Sequence, residues 1–291
     1  MTTTENTASS HVISGNLDML LGEEKYLPWS CSRMEVASSC LYKFNQVYLA
    51  GIKEESAALT LGGLSHEIIA DLLKDGEPSE AKAEIFLTRH YPIYRDADAN
   101  GEALATVRSF FPYMVEFCNK WNNFLNEKGI KKARVEHPYG LTRDLERASY
   151  NPNNPIRQTY LRGIIDLWAY DPETQYLYIV DHKTNKSIMS SNKVKEHIQL
   201  NLYIAMLARI YKLKWKKAFI GLNFLRKKKT VWATVEPHET AVFTDIFMNT
   251  LRYLEARLFD CENSLVWPAE RSFKCSWCAL KSTCLAFNSE V

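Results

Sequence analysis

Two carboxylates and a lysine stand close together in one stretch of the chain. Asp166 closes the run Gly163-Ile164-Ile165-Asp166, and Asp181 and Lys183 close the run Tyr176-Leu177-Tyr178-Ile179-Val180-Asp181-His182-Lys183. Between the runs lies Pro172-Glu173-Thr174-Gln175, a turn signal, so the stretch reads as two adjacent strands of a hairpin. Side chains two apart in a strand share a face, so Asp181 and Lys183 point one way and His182 points the other. Register across the turn can bring Asp166 to that pair. Oxygen ligands for a divalent cation beside an ammonium group are what metal-assisted phosphodiester hydrolysis requires. An Asp-x-Lys standing alone reads far more often as a strand end in solvent, so the reading leans on its companions.

The companions lie on either side. A helix over 56–73 buries the stripe Leu61, Leu64, Ile68 and Leu72; His66 falls beside it, with Gly62 and Gly63 leaving space one turn earlier. His66 serves there either as a satisfied structural histidine or as a ligand. After the hairpin, a helix over 193–211 is apolar around much of its circumference, as a helix packed on a sheet should be, and Gln199 and Tyr203 share one of its faces. Strands over 218–225 and 231–235 follow, joined by Arg226-Lys227-Lys228-Lys229. Four cations at a hairpin tip read equally as a solvated turn and as a phosphate contact.

Seven cysteines form an odd set, with Cys275, Cys278 and Cys284 crowded near the end of the sequence, which argues against a secreted disulfide framework and for a metal or cluster site. Cys275-Ser276-Trp277-Cys278 places two thiolates on one turn, and Cys284 supplies a third corner. A helix over 32–50 carries Val36, Cys40, Phe44 and Val47 at helical spacing, and Cys40 on this apolar face is chosen as the fourth ligand; Cys31 and Cys261 compete with it. Spacing alone does not separate zinc from an iron-sulfur cluster. Either group would clasp distant ends of the chain and remove unfolded-state entropy, much as a disulfide does.

At 291 residues the chain can hold one large domain or two modest ones. Its 36 Lys and Arg against 34 Asp and Glu leave a net charge of +2, too small for a global field, so any nucleic-acid contact must come from local clusters. No apolar run approaches the roughly 18 residues of a membrane span. The first 14 residues are rich in Thr and Ser, carry no Lys or Arg and lack the regions of a signal peptide; residues 1–20 are expected to be a disordered tail of a cytoplasmic protein. A linker containing Asp96, Asp98, Asn100 and Gly101 leads into an aromatic helical stretch over 103–127, which Pro112 should kink or restart and in which Cys118 is a small buried hydrophobe. A strand over 133–136, a polar, mobile loop over 143–158 and a last helix over 239–259 complete the outline.

Taken in order, these motifs resemble the RecB-like branch of the PD-(D/E)XK nuclease superfamily. They are His66, Gly163-x-x-Asp166, Asp181-x-Lys183 followed by Thr184, Gln199-x-x-x-Tyr203, and Cys40 with Cys275, Cys278 and Cys284. The sequence is most similar in pattern to the iron-sulfur members, which include CRISPR-associated and phage-encoded exonucleases and the nuclease domain of AddB; the likeness runs over 32–284. It implies an α/β fold, a restriction-endonuclease-like central mixed sheet flanked by helices. One domain over 21–291 would comprise a mainly helical portion (21–130), a nuclease core (131–260) and a cluster-binding segment (261–291).

The resemblance also implies roles. His66, Asp166 and Asp181 would bind one or two Mg2+ or Mn2+ ions, helped by the backbone carbonyl of His182. Lys183 would orient or deprotonate the attacking water. Gln199 and Tyr203 would position substrate and lysine, with Arg226, Lys227 and Lys228 on the phosphates. Cys40, Cys275, Cys278 and Cys284 would hold a structural 4Fe-4S cluster, with zinc the less expected occupant. The expected activity is a metal-dependent DNA exonuclease acting on single strands or free ends. Alternatives are a CRISPR-adaptation-type nuclease working in a complex, a DNA-binding recombination partner with little nuclease activity, and a zinc-clasped structural protein. Expected partners are DNA, further copies of the chain, and recombination or CRISPR proteins, with no membrane.

Overall fold

The computed structural model describes residues 28–54, 56–148 and 159–288. Helices α1 (Cys31–Ser39) and α2 (Leu41–Phe44) lead into a π-helical turn (Asn45–Leu49). Four helices follow: α3 (Ala57–Asp75), α4 (Glu80–Tyr94), α5 (Glu102–Arg108) and α6 (Phe111–Glu127). Strands β1 (Lys132–Leu141), β2 (Arg147–Ala148), β3 (Leu161–Asp171) and β4 (Tyr176–Lys183) precede helices α7 (Ser191–Lys195) and α8 (Ile198–Ile210). Strands β5 (Lys217–Phe224) and β6 (Lys229–Val235) lead to the long helix α9 (Pro237–Ser264), a 3-10 turn (Phe273–Trp277) and the short helix α10 (Leu285–Asn288). No described helix is long and apolar enough to cross a membrane.

The strands form one mixed sheet in the order β2-β1-β3-β4-β5-β6. The pairs β1/β2, β3/β4 and β5/β6 are antiparallel and β4/β5 is parallel. A parallel pair cannot be joined by a tight turn, and α7 and α8 supply the crossover. The result is the expected mixed α/β architecture with a helix-flanked sheet.

By compactness the chain divides into two units interleaved in sequence. One comprises the described residues up to Glu54, Gly140–Gly163 and those from Asp245 on; the other comprises Glu55–Tyr139 and Ile164–Thr244. In the second unit α3, α4, α5 and α6 form a core that packs on the sheet through Leu167, Ala169 and Val180. The stripe Leu61, Leu64, Ile68 and Leu72 is buried, as its spacing predicts. Helix α3 starts where Ser56 Oγ accepts the Leu59 N–H (3.2 Å) and stops at Gly76, whose φ of 83° a side chain would strain. Pro112 restarts the aromatic stretch as α6, in the first turn where its missing N–H is harmless.

The hairpin forms as read, with register from Leu167↔Val180 to Asp171↔Tyr176. Its turn is closed by Asp171, whose carboxylate accepts the Glu173 N–H (2.9 Å) and the Thr174 hydroxyl (2.6 Å). Asp98, expected in an open linker, is instead buried. Its carboxylate accepts the N–H groups of Ala103 (2.9 Å) and Leu104 (3.0 Å), two of the orphan donors that open α5.

Several expectations are corrected. The helix over 32–50 is not continuous: Cys40 is extended (φ −168°, ψ 109°), and its sulfur accepts the Lys43 N–H at 3.4 Å, capping α2. Ser39, just before it, hydrogen-bonds back to the Val36 carbonyl, a local bond that competes with helix continuation. The buried stripe is therefore Cys31, Met34, Ala37, Leu41 and Phe44 rather than the one through Cys40 and Val47. The helix over 193–211 divides in two at Glu196-His197, where the Asn201 amide donates to the Lys195 (2.8 Å) and His197 (3.1 Å) carbonyls. Helix α4 was not anticipated, because only Ala83, Phe86 and Leu87 are buried on it and Pro92 sits inside it. Of the loop over 143–158, residues 149–158 lie outside the described residues, as does the tail over 1–20. Its first part is ordered, with β2 paired to β1 and Arg143 ion-paired to buried Glu255 at 3.0 Å in the first unit.

Replacing Asp98 by Ala leaves two helix N–H groups without their acceptor and should cost about 1–3 kcal/mol, read as a lower urea midpoint; an unchanged midpoint would show that the cap contributes nothing.

Candidate active site

Asp166 sits in β3 just before its paired stretch with β4, and only 6% of it is exposed. Its Oδ2 accepts the His182 N–H at 2.7 Å and lies 3.4 Å from His66 Nδ1. The other ring nitrogen of His66, Nε2, is 3.0 Å from the His182 carbonyl. With acceptors on both sides, the ring is suited to carry both protons. Burial works against that charge, but the attraction and hydrogen bond of Asp166 and the charges of Asp181 and Glu136 outweigh it, raising His66 to about 9. The space that Gly63 leaves beside His66 is filled from α4, whereas a Cβ on Gly62 would meet only the Thr184 hydroxyl, at 3.9 Å. A Cβ on Gly63 would stand 2.6 Å from the Tyr94 hydroxyl, which hydrogen-bonds Glu67 at 3.1 Å.

Glu136 completes the group, a residue that sequence reasoning placed in a strand without a role. One ligand atom each from His66, Glu136 and Asp166 lie within 4.8 Å of one another. Glu136 has a φ of +46° inside β1, a left-handed kink unusual for a residue with a side chain. Such a kink breaks the alternation of the strand, which is why period-two reading could not aim this carboxylate. Burial first, then the repulsion of Asp166, pushes Glu136 up to about 7. Two carboxylates and one imidazole suit a hard divalent cation such as Mg2+ or Mn2+, so the donor set fits the metal that the chemistry calls for.

Asp181 is not among the three that gather within 4.8 Å, although its charge reaches His66 and Glu136. It is buried and ion-paired with Lys183 at 2.6 Å, the two side chains sharing a face as the alternation predicts. Lys183 Nζ also donates to Gln199 Oε1 at 3.4 Å; the Gln199 amide donates to the Tyr203 hydroxyl, which in turn donates to the Ile164 carbonyl at 3.0 Å. Helix α8 is thereby tied to β3 two residues before Asp166. The His182 side chain lies on the opposite face, buried edge-on against Phe117 at 5.3 Å. Its Nδ1 accepts the Asn223 amide at 3.0 Å, and Asn223 Oδ1 accepts the Tyr113 hydroxyl at 2.7 Å. Burial and then the charge of His66 lower His182 to about 3, so its side chain stays neutral.

The basic hairpin tip splits in character. Arg226 is half-buried and its Nε donates to the Thr184 carbonyl at 2.9 Å, next to Lys183, whereas Lys227, Lys228 and Lys229 are exposed. In the first unit, Cys40, Cys275, Cys278 and Cys284 line one cavity; Cys31 and Cys261 are buried and are not among its lining residues. Cys275 Sγ accepts the Ser272 N–H at 3.3 Å. Among the described residues, no three cysteine sulfurs lie within 4.8 Å of one another.

The family model of the PD-(D/E)XK nuclease superfamily matches residues 28–285. No curated protein matches the chain.

Binding of a divalent cation to the trio must expel protons from His66 and Glu136, so affinity for Mn2+ should rise from about pH 6 to about pH 9 with net proton release. Calorimetry in buffers of different ionisation enthalpy reads both quantities. Glu136→Gln should weaken binding by about tenfold or more; wild-type affinity in that variant would remove Glu136 from the site.

Proposed function

The chain belongs to the PD-(D/E)XK nuclease superfamily, and from that footing we propose that it is a Mg2+- or Mn2+-dependent deoxyribonuclease. The convergence of His66, Glu136 and Asp166 beside the Asp181–Lys183 pair carries this reading. When bound, a divalent cation activates water and neutralises charge on the phosphate. The chain's own residues supply the rest. Asp166 and Glu136 provide oxygen donors, and Asp166 also holds the His182 peptide in place. Asp181 and Gln199 fix the Lys183 ammonium so that it meets the phosphate or the attacking water in one orientation. Tyr203 holds Gln199 and anchors it to the Ile164 carbonyl. Arg226 braces the hairpin tip beside Thr184, leaving Lys227 and Lys228 to neutralise flanking phosphates.

The finer reading is exonucleolytic action on single strands or free ends, supported by the motif order shared with the RecB-like branch. The same reading gives the four cysteines a structural iron-sulfur cluster. The four cysteines line one cavity, which supports their acting on one shared group. Cys40 is the fourth ligand in this scheme because it lines that cavity and Cys31 does not.

Lys183→Ala should lower turnover about 10²- to 10⁴-fold with unchanged circular dichroism, and Asp181→Asn should act similarly; full activity in either would sink this centre. End-labelled linear DNA should be degraded and covalently closed circles spared, while cutting of circles would make the enzyme an endonuclease. Anaerobic protein should be brown, and Cys275→Ser should bleach it; a colourless preparation with stoichiometric zinc would remove the iron-sulfur assignment.

A further inference from the structure

Residues 128–134, which lead from α6 into β1, and 209–217, which lead from α8 into β5, carry nine Lys and Arg and no Asp or Glu. The whole chain nets only +2, so the remainder is net acidic and this charge is a local feature. Both segments belong to the second unit, and the fold brings them together. The Lys132 ammonium lies 4.8 Å from the centre of the Tyr211 ring and 5.8 Å from that of Tyr170. The Tyr170 hydroxyl donates to the Lys214 carbonyl at 2.6 Å. The Lys216 N–H donates to the Gln175 carbonyl at 2.9 Å, in the turn between β3 and β4, and Lys217 pairs with Tyr176.

Lys128, Lys131, Arg134, Lys212, Lys214 and Lys216 are exposed, and among the described residues none of them is in an ion pair. Asp171 carries charge near Lys128, but its oxygens accept the Glu173 and Thr174 donors of its own turn. Glu127 and Glu173, exposed beside these segments, pair with none of the six. Burial and then the charge of Arg134 lower Lys132 from its usual value, a sign that the cations repel one another. A merely solvated face gains from interspersed signs, whereas a field of one sign concentrates a ligand of the other. Strands β1 and β5 lie three places apart in the sheet, so the band is about 14 Å wide, the reach of about four phosphates of one duplex strand. It stands at the opposite end of β4 from Lys183, and Tyr176 to Lys183 is about 23 Å at the usual rise. One phosphate or one nucleotide cannot reach both places; about seven base pairs can.

We propose that this basic band is a second contact for the phosphodiester backbone of DNA, at the far end of the sheet from Lys183. The choice of DNA as occupant rests on the nuclease reading. Its test is fluorescence anisotropy of a labelled duplex and of labelled oligothymidine, each longer than the span, with the full chain in EDTA, which prevents cutting. Lys131→Ala, Lys214→Ala and Lys216→Ala combined should lower the slope of log affinity against log salt by about 2 to 3, the release from three phosphates. The three Lys→Arg changes, which keep the charge, should keep the slope. A drop on the duplex alone assigns the band to paired DNA, on oligothymidine alone to a single strand, and on both to backbone shared by the two. Wild-type slopes on both in the folded Ala variant would overturn the proposal. If that variant instead loses binding to phosphatidylserine vesicles with both slopes unchanged, the band is a lipid contact and the DNA assignment falls. Hydrolysis of bis(p-nitrophenyl) phosphate by the wild-type chain with Mn2+ tests the nuclease reading separately, because that small diester cannot reach the band. No hydrolysis with the slope change intact would strike the nuclease reading and leave the contact standing.

Discussion

A carboxylate buried at the end of a strand pairing must be compensated or it unfolds its surroundings, and Asp166 is such a carboxylate. Its compensation comes from two directions: the His182 N–H from β4 and the His66 ring from α3. Those contacts tie the helix to the hairpin and place the His182 carbonyl against His66. Adding Glu136 overloads the neighbourhood with negative charge, which is why burial and Asp166 together hold its proton so tightly. Burial and a neighbouring carboxylate that together favour the protonated form of Glu136 are what a divalent cation relieves.

The two-residue alternation of β4 divides the work between faces of the sheet. On one face Asp181 and Lys183 engage Gln199 and Tyr203 of α8. On the other, neutral His182 is locked by Asn223 and Tyr113. The network fixes the ring through Nδ1, while Nε2, which then carries the proton of the neutral ring, is buried without a hydrogen-bond partner. Its role is to hold the peptide whose N–H and carbonyl meet Asp166 and His66.

The first unit is assembled from three separated segments of the chain, so joining them depends on contacts between residues distant in sequence. Trp29 illustrates the remedy: its indole donates to Glu255 at 3.2 Å, and Arg143 pairs with the same carboxylate. The four cysteines lie in this unit too, one near its first helices and three near its last. A cross-link there closes a loop of most of the chain, where loop-closure entropy is largest.

The sequence by itself determined the elements whose signals are local. The α3 stripe, the hairpin about the turn at Pro172–Gln175, the shared face of Asp181 and Lys183 and that of Gln199 and Tyr203 all follow from periodicity and turn chemistry acting over a few residues. The breaks at Cys40 and at Glu196-His197 were not legible, because side chains that divert backbone hydrogen bonds leave the apolar spacing almost intact. Nor was Glu136, whose left-handed backbone is ordinarily the mark of glycine. Only the tertiary structure brought that carboxylate to His66 and Asp166 and Lys132 to the ring of Tyr211. Which side chains meet across elements distant in sequence is decided by packing of the whole core, where many long-range contacts compete at once and no short window of residues carries the outcome.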